Sequence, residues 1–313
     1  MNILVILPVY NKAATLSRAV NSVLQQTYTD YKILIVDDGS TDASASIAQD
    51  LKSDAVEVLV QKTNQGVSAA RNIGLNYAQE NNYTYVALLD ADDYWQPTHL
   101  DTLIKLTQSF PNARAFATNY ILKRPRKTYK TKFSNLLENE QQQLEFFFTN
   151  NFLNPVLRCS TVMVETKALE TIGLFNKSYT HFEDIDWFIR IGMNVPVAFT
   201  KKVTVSIDET AMNRSDRVDM KLRRFPDFKT YDGNVENHEG LGKYLSLNRY
   251  AIALAYRMEN DIKNATQYKQ AIEMEHLNGK QTKLINMSRL QLKSLKKTQR
   301  VLGNLGFHLR AGE

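Results

Sequence analysis

The 313-residue chain contains a single cysteine, Cys159. A lone cysteine excludes an intramolecular disulfide framework, so we expect a reducing compartment and a cytoplasmic protein. No apolar run approaches the roughly 20 residues that a transmembrane helix needs. The first apolar run, residues 3–9, lacks a basic leader and is predicted to be a strand and not a signal peptide. With 43% hydrophobic and 23% charged residues, the composition is that of an ordinary globular protein.

The net charge of +6 is concentrated in the last quarter of the chain. Residues 236–313 contain 13 basic and 7 acidic residues, whereas the first 235 residues contain 26 of each. The pattern predicts helices at 240–258, 265–277 and 282–302, the last one amphipathic and basic. Such a helix suits the anionic inner face of a cell membrane, which gives an expected peripheral contact through residues 280–305. It can equally pack its apolar stripe on the rest of the protein.

The first 120 residues alternate between strand and helix patterns. Strands are predicted at 2–9, 32–36, 56–60, 85–89 and 113–121, and helices at 13–26, 41–51, 67–78 and 97–108. This alternation indicates an α/β fold with a doubly wound, mostly parallel sheet. Ligands of such sheets bind at the carboxyl ends of the strands.

The pattern after residue 122 is less regular. Residues 123–132 contain six basic residues and no acid, and are predicted to be a loop or an edge extension of the sheet. Helices are predicted at 141–152, 167–172 and 182–193, a strand at 155–164, and a strand pair or hairpin at 195–207. We therefore expect one catalytic domain over residues 1–235, with halves of about 1–122 and 123–235, and a basic α-helical extension over 236–313.

The most informative stretch is an apolar strand that ends in three carboxylates, Asp90, Asp92 and Asp93. Like charges this close repel one another and must stay hydrated or bind a cation. Oxygen ligands suit Mg²⁺ or Mn²⁺, and a metal at this edge of the sheet could hold a diphosphate. The alternative interpretation is a solvated turn before a helix that Pro97 opens.

Three other polar turns follow predicted strands. Pro8 and Tyr10 stand at the end of the first strand, and the run Asp37-Asp38-Gly39-Ser40-Thr41-Asp42 follows the second. The third turn is Asn64-Gln65-Gly66, with Arg71 shortly after it. A carboxylate in the second turn could accept hydrogen bonds from uracil or ribose, and Arg71 could contact a base or a phosphate. Each turn alone is explained by ordinary turn chemistry, whereas four at successive strand ends predict a shared site.

Taken together, these segments resemble glycosyltransferase family 2, a family of inverting enzymes with the nucleotide-diphospho-sugar transferase, or A-type glycosyltransferase, fold. The resemblance runs from residue 2 to about residue 210. It is carried by Pro8-Val9-Tyr10-Asn11, Ile35-Val36-Asp37-Asp38-Gly39-Ser40, Gly66-Val67-Ser68-Ala69-Ala70-Arg71-Asn72 and the acid–any–acid motif Asp90-Ala91-Asp92.

The resemblance implies a role for each motif. Asp92 would be the direct ligand of Mn²⁺ or Mg²⁺. The nucleotide-sugar would be held by six residues, namely Pro8, Tyr10, Asp38, Asn64, Arg71 and Asp90.

The segment His181-Phe182-Glu183-Asp184-Ile185-Asp186 resembles the part of the family that carries the general base. We expect Asp184 to be that base, because an acceptor hydroxyl needs a carboxylate to take its proton. Glu183 is the second catalytic candidate, and Asp186 a further candidate for orienting the site. The alternative is that these acids only favour a helix N-terminus electrostatically.

One departure from the family pattern concerns the strand that follows the base helix. Where many members carry an Arg-any-His pair, this chain reads Ser206-Ile207-Asp208. Asp208 is a candidate oxygen ligand, and Arg214 or Arg217 could contact the diphosphate. Ordinary loop ion pairs explain these residues equally well.

The expected function is therefore metal-dependent transfer of a sugar from a nucleotide donor, a UDP-sugar, to a glycan or lipid-linked acceptor in bacterial surface polysaccharide biosynthesis. No nucleic-acid partner is expected. One alternative is a non-catalytic nucleotide- or glycan-binding module on the same fold. A second is a sugar nucleotidyltransferase, although residues 10–14 lack the glycine-rich phosphate loop that such enzymes use.

Overall fold

A computed structural model describes residues 1–211, 214 and 218–304, with side chains described as far as residue 298. Its strands are β1 (Ile3–Val9), β2 (Tyr31–Asp37), β3 (Val56–Val60), β4 (Tyr85–Leu88), β5 (Tyr94–Trp95), β6 (Ala115–Arg124), β7 (Lys127–Lys130), β8 (Gln141–Gln143), β9 (Val162–Glu165) and β10 (Val197–Asp208). Its helices are α1 (Leu16–Leu24), α2 (Ser44–Asp50), α3 (Val67–Glu80), α4 (His99–Ser109), α5 (Leu169–Ile172), α6 (Glu183–Asn194), α7 (Leu241–Met258), α8 (Ile262–Gln270), α9 (Gly279–Asn286) and α10 (Arg289–Asn304).

The strands form one mixed sheet in the order β3-β2-β1-β4-β9-β6-β10-β5. Strands β3, β2, β1 and β4 are parallel to one another, and β6 is parallel to β10. Strand β9 is antiparallel to both of its neighbours, β4 and β6. The predicted α/β fold with a mostly parallel sheet is thus confirmed.

Strand β1 lies where the order of the strands reverses. It pairs with β2 on one side and with β4 on the other, so that Val9 lies opposite Asp37 and Ile6 opposite Leu88. The carboxyl ends of three strands therefore meet at one edge, and the polar turns that follow them are brought together. Such a switch point is where open α/β sheets bind their ligands.

Both faces of the sheet are covered by apolar side chains. Every residue of β1 is buried, with Leu4 and Ile6 in one hydrophobic cluster and Val5 and Leu7 in the other. This explains why β1 is a continuous apolar run and not an alternating one. Helix α3 packs so close that a Cβ added at Gly74 would lie 2.4 Å from Ile6 Cγ2.

The structure corrects several predicted elements after residue 122. Residues 123–132 form the edge hairpin of β6 and β7, as one of the two expectations had it. Residues 141–152 are not a helix, because β8 pairs with β10 and only a 3-10 turn at Phe148–Asn151 follows. Of the strand predicted over residues 155–164, only the last three residues belong to the sheet, as the start of β9. Residues 195–207 are not a hairpin but belong to the single irregular strand β10, whose register with β6 shifts between Thr200 and Val205.

The C-terminal helices pack on the sheet domain. Tyr244 and Leu245 of α7 and Ile285 of α9 belong to the same hydrophobic cluster as Leu4 and Ile6 of β1. The predicted helix over 282–302 is two helices, because the chain turns at Met287 and Ser288 caps α10 through Gln291. The domain boundary near residue 235 stays a prediction. Among the described residues, no helix is both long enough and apolar enough to cross a bilayer.

Candidate active site

A cleft of about 750 Å³ opens at the carboxyl ends of β1, β2 and β4. The predicted site residues that line it are Pro8, Tyr10, Asp38, Asn64, Arg71, Asp90, Asp92, Glu183 and Asp184. Asp186 and Asp208 are not among its lining residues. The fold thus gathers most of the predicted residues, although they come from segments up to about 180 residues apart in sequence.

Asp38 anchors the turn that forms one wall of the cleft. Its buried carboxylate accepts the backbone N–H groups of Gln65, at 2.9 Å, and of Gly66, at 2.8 Å. Burial raises the pKa of Asp38, although these two hydrogen bonds act against the shift. Gly66 has φ +93°, a conformation that glycine adopts at little cost. Asp38 therefore fixes the position of the wall formed by residues 64–66.

Arg71 joins the two halves of the cleft. Its guanidinium contacts Asp90 Oδ1 at 2.9 Å and Glu183 Oε1 at 3.0 Å, and lies over the ring of Phe175. Arg71 and Glu183 are buried, so their ion pair is largely removed from water, whereas Asp90 stays partly exposed. Asp90 follows β4 and Glu183 begins α6. The Arg71 side chain therefore connects the acidic turn to the N-terminus of α6.

The acidic turn is held by cations and hydroxyl groups. Lys12 Nζ lies 2.7 Å from Asp92 Oδ2, and Arg18 donates to the backbone carbonyl of Asp92 at 2.7 Å. Asp93 is buried and accepts hydrogen bonds from Ser160 Oγ at 2.5 Å and from the backbone N–H of Asp208 at 2.9 Å. Burial, together with the charges of Asp90 and Asp92, raises the pKa of Asp93 to about 8, although the hydrogen bonds from Ser160 and Asp208 act against the shift.

The carboxylates of this turn fit a cation that also binds a diphosphate. Asp90 is 35% exposed in its side chain and Asp92 lines the cleft. Among the described residues, the carboxylates of the cleft do not form a cluster of three potential metal ligands. The one cluster of that kind in the described part of the chain is Glu273, Glu275 and His276, which lies outside the cleft. Mg²⁺ is commonly held by one or two carboxylates together with substrate phosphates, so the donor set here is of a suitable kind.

Helix α6 presents the two candidate catalytic acids. Phe182 adopts the left-handed φ of +62° just before the helix starts. Glu183 is buried against Arg71, whereas Asp184 is half-buried and accepts only the local N–H of Ile185 among the bonds described. Burial, together with the charge of Asp184, raises the pKa of Glu183 to about 7, and Arg71 opposes the shift.

The two further candidates lie beside the cleft, in networks of their own. Asp186 is buried, pairs with Arg190 at 3.0 Å and accepts the hydroxyl of Tyr231 at 2.7 Å. Asp208 pairs with Arg18 at 2.8 Å and accepts the hydroxyl of Thr210. Burial acts to raise the pKa of Asp208, but these partners outweigh it and hold the pKa below its usual range. Both acids are thus placed to support the site and not to face a ligand.

Sequence reasoning missed several residues that line the cleft, among them Lys12, Arg158 and Ser160. Arg158 lies over the ring of Tyr120, at 5.5 Å from its centre. The segment that contains Arg158 and Ser160 was predicted to be a strand, which conceals its contribution to the cleft. Arg214 lines the cleft and donates to the carbonyl of Asp208 at 3.0 Å, whereas Arg217 lies outside the described residues.

The family profile of Glycosyl transferase family 2 matches residues 4–173. The putative teichuronic acid biosynthesis glycosyltransferase TuaG of Bacillus subtilis is 30% identical over 174 residues, which are 55% of this chain and 65% of TuaG. The UDP-Glc:alpha-D-GlcNAc-diphosphoundecaprenol beta-1,3-glucosyltransferase WfgD of Escherichia coli is 32% identical over 102 residues, 33% of this chain and 39% of WfgD. The chain thus matches less than two thirds of the length of these curated relatives.

Among solved structures, S. aureus TarS in complex with UDP-GlcNAc superposes with a TM-score of 0.71 at 16% identity, over 96% of this chain and 93% of that one. At this identity the likeness speaks for the fold alone. The fold is that of the A-type glycosyltransferases, with a cleft at the carboxyl ends of its strands. The chain belongs to glycosyl transferase family 2, as the sequence motifs predicted.

Proposed function

We propose that this chain is an inverting glycosyltransferase that moves a sugar from a UDP-sugar to a hydroxyl of a glycan or glycolipid acceptor. The observation that carries the proposal is that Asp38, Asp92 and Asp184 line a single cleft although they lie far apart in sequence. A carboxylate for the nucleoside, one for a cation and one for a proton are the groups that this reaction needs. The TarS complex with UDP-GlcNAc supports a donor of this class.

The donor would lie along the wall formed by β1, β2 and the turn at residues 64–66. Pro8, Tyr10 and Asn64 line this part of the cleft together with Asp38. Arg71 and Asp90, held together by their ion pair, would border the ribose and the diphosphate. Arg71 is pre-organised by its two carboxylate partners, so donor binding need not order it.

A divalent cation, Mn²⁺ or Mg²⁺, would be held by Asp92 with Asp90 close by. When bound, it would supply positive charge for the departing diphosphate. In this structure Lys12 balances the charge of Asp92, and Arg214 also lines the cleft.

Asp184 is the better placed of the two catalytic candidates to act as base. The Glu183 carboxylate is engaged by Arg71, whereas Asp184 faces the cleft and is only half-buried. Asp184 would take the proton of the acceptor hydroxyl. The hydroxyl oxygen would at the same time attack the anomeric carbon from the side opposite the diphosphate, whose bond to that carbon breaks. A single carboxylate base of this kind gives inversion at that carbon.

The names of the relatives support an acceptor in bacterial surface polysaccharide synthesis. WfgD is named for a diphosphoundecaprenol-linked acceptor and TuaG for teichuronic acid. A peripheral membrane position, through residues 280–305 as the sequence predicts, would bring the cleft to such an acceptor. Equal binding of the full-length chain and of a chain truncated at residue 280 to anionic liposomes would argue against this contact.

The test begins with thermal shifts of the purified protein against a panel of nucleotide-sugars with Mn²⁺. A donor that binds should raise the melting temperature through mass action. The stabilising donor is then incubated with glycan and lipid-linked acceptors, and NMR reads the released UDP and the anomeric configuration of the product. Binding without transfer would indicate a non-catalytic module, and formation of UDP-sugar from a sugar phosphate and UTP would indicate a nucleotidyltransferase.

A further inference from the structure

The wall of the cleft next to Asp184 is built from two chain segments that hydrogen-bond to each other. The Thr180 backbone N–H donates to the carbonyl of Arg224 at 2.9 Å, and the Arg224 N–H donates to Thr180 Oγ1 at 2.9 Å. Arg224 Nε also donates to the carbonyl of Ser178 at 2.9 Å. We call the exposed surface of residues 177–180 and 218–224 the acceptor rim. Its members Lys177, Val218, Leu222 and Arg224 line the cleft.

The acceptor rim carries cations that are not balanced by carboxylates. Lys177, Lys221 and Arg224 are exposed, and none of them forms an ion pair in the described part of the chain. The single acid of residues 218–224, Asp219, accepts the backbone N–H of Lys221. Deeper in the cleft, Lys12 and Arg71 have acidic partners. These exposed side chains therefore give the described part of the rim a positive charge that attracts an anion.

The same rim also exposes aliphatic surface. Leu222 is 68% exposed and Val218 is 40% exposed. Single exposed aliphatic residues are ordinary on a protein surface and need no explanation. Here two of them stand among unbalanced cations at the mouth of a cleft. A surface that combines apolar side chains with Lys and Arg is typical of contact with anionic lipid.

We propose that the acceptor rim contacts an anionic bilayer and receives from it a lipid-linked acceptor, whose phosphates meet Lys177 and Arg224 beside Asp184. Val218 and Leu222 then enter the boundary between headgroups and acyl chains, and Lys221 faces the anionic headgroups. The inference rests on the proposed function, since it names the class of acceptor for that cleft. It places the membrane at the mouth of the cleft, a site different from the tail at 280–305.

The tail helix is the competing contact, and its apolar stripe is already partly covered. Ile285 and Leu292 are buried against the rest of the protein, and Arg289 donates to the carbonyl of Met258. Leu290 is 79% exposed but lies on the other side of α10 from Leu292. Among the tail side chains that the structure describes, which end at residue 298, Leu290 is the exposed leucine and lies among basic residues, which makes it a matched control for Leu222.

The test is co-sedimentation of the full-length chain with phosphatidylglycerol vesicles and, in parallel, with phosphatidylcholine vesicles. We expect binding to the anionic vesicles only, weakened by salt because charges are screened. The substitutions Lys221→Gln and Lys177→Gln should each weaken it by roughly fivefold, the effect of one basic residue near an anionic surface. Leu222→Asp removes an apolar side chain and adds a negative charge, so it should weaken binding at least as much. Leu290→Asp should bind as the parent does. Unchanged melting temperatures would show that the variants are folded.

Two results would overturn the inference. One is a parent chain that does not bind anionic vesicles, and the other is a loss confined to Leu290→Asp, which would place the contact on the tail. The thermal shift of the parent with a nucleotide-sugar is read separately. If the parent binds a donor but not the vesicles, only the proposed membrane contact of the acceptor rim is wrong. If the parent binds no donor, the proposed function is wrong.

Discussion

The ammonium of Lys12 lies 2.7 Å from Oδ2 of Asp92, and both side chains are largely buried, with 16% and 10% of their surface exposed. Lys12 follows β1 and Asp92 follows β4, so the pair spans two neighbouring strand ends. The carboxylate that the family resemblance assigns to the metal is therefore balanced by a cation of the protein itself. A divalent ion at Asp92 and the Lys12 ammonium compete for the same negative charge.

This competition predicts that Lys12→Met increases the affinity for Mn²⁺. Removing the ammonium leaves Asp92 as an unbalanced, partly buried carboxylate, which a cation then stabilises. We expect the dissociation constant of Mn²⁺, measured from the EPR signal of the free ion, to fall roughly tenfold. Lys12→Arg keeps the charge and serves as the matched control, with an affinity close to that of the parent. Weaker Mn²⁺ binding in Lys12→Met would contradict competition.

The two acids at the start of α6 should separate in kinetics. Asp184→Asn should lower kcat by roughly 10²–10⁴, as expected for a lost general base, while donor binding measured by calorimetry stays close to that of the parent. Glu170→Gln, an exposed acid on α5, is the control and should change neither quantity. If Asp184→Asn transferred sugar at the parental rate, the base would have to be another group.

The residues that the sequence assigned to the donor all line the cleft because they lie at or near strand ends. Pro8 is the last but one residue of β1, Asp38 follows β2 directly and Asp90 lies two residues after β4, and parallel pairing brings such positions together. The order of the strands could not be derived from periodicity, yet the site depends only on which ends of the strands face the same way. A pattern that is local in the sequence therefore predicted which distant residues lie together in the cleft.

The missed contacts depend on pairs that no local pattern encodes. Lys12 and Asp92 are 80 residues apart, and Arg71 and Glu183 are 112 residues apart. Residues 141–152 have helical propensity, but the open edge of β10 offers β8 backbone partners, and that tertiary pairing decides the outcome. The buried Gln142 and Phe148 are then fixed by contacts formed only in the folded chain.

Arg71 should be essential to stability as well as to donor binding. Arg71→Met leaves Glu183 without its partner in a buried environment, which costs about 3–5 kcal/mol when one member of a buried pair is removed. Urea denaturation should show this loss. The double variant Arg71→Met with Glu183→Gln should recover part of it, because no uncompensated charge remains at position 183. A double variant less stable than the sum of the single effects would argue against direct coupling.

Asp93 makes the stability of the fold depend on pH. Burial and the charges of Asp90 and Asp92 raise its pKa from 3.8 to about 8, so between these values the folded state holds a proton that the unfolded state has released. The stabilisation is therefore complete below pH 3.8 and is lost as the pH rises towards 8. Asp93→Asn carries no such proton, and its amide can still accept the N–H of Asp208. We expect urea denaturation between pH 5 and pH 8 to show a smaller loss of stability in Asp93→Asn than in the parent. Equal pH slopes for the two proteins would mean that Asp93 is ionised in the folded state across this range.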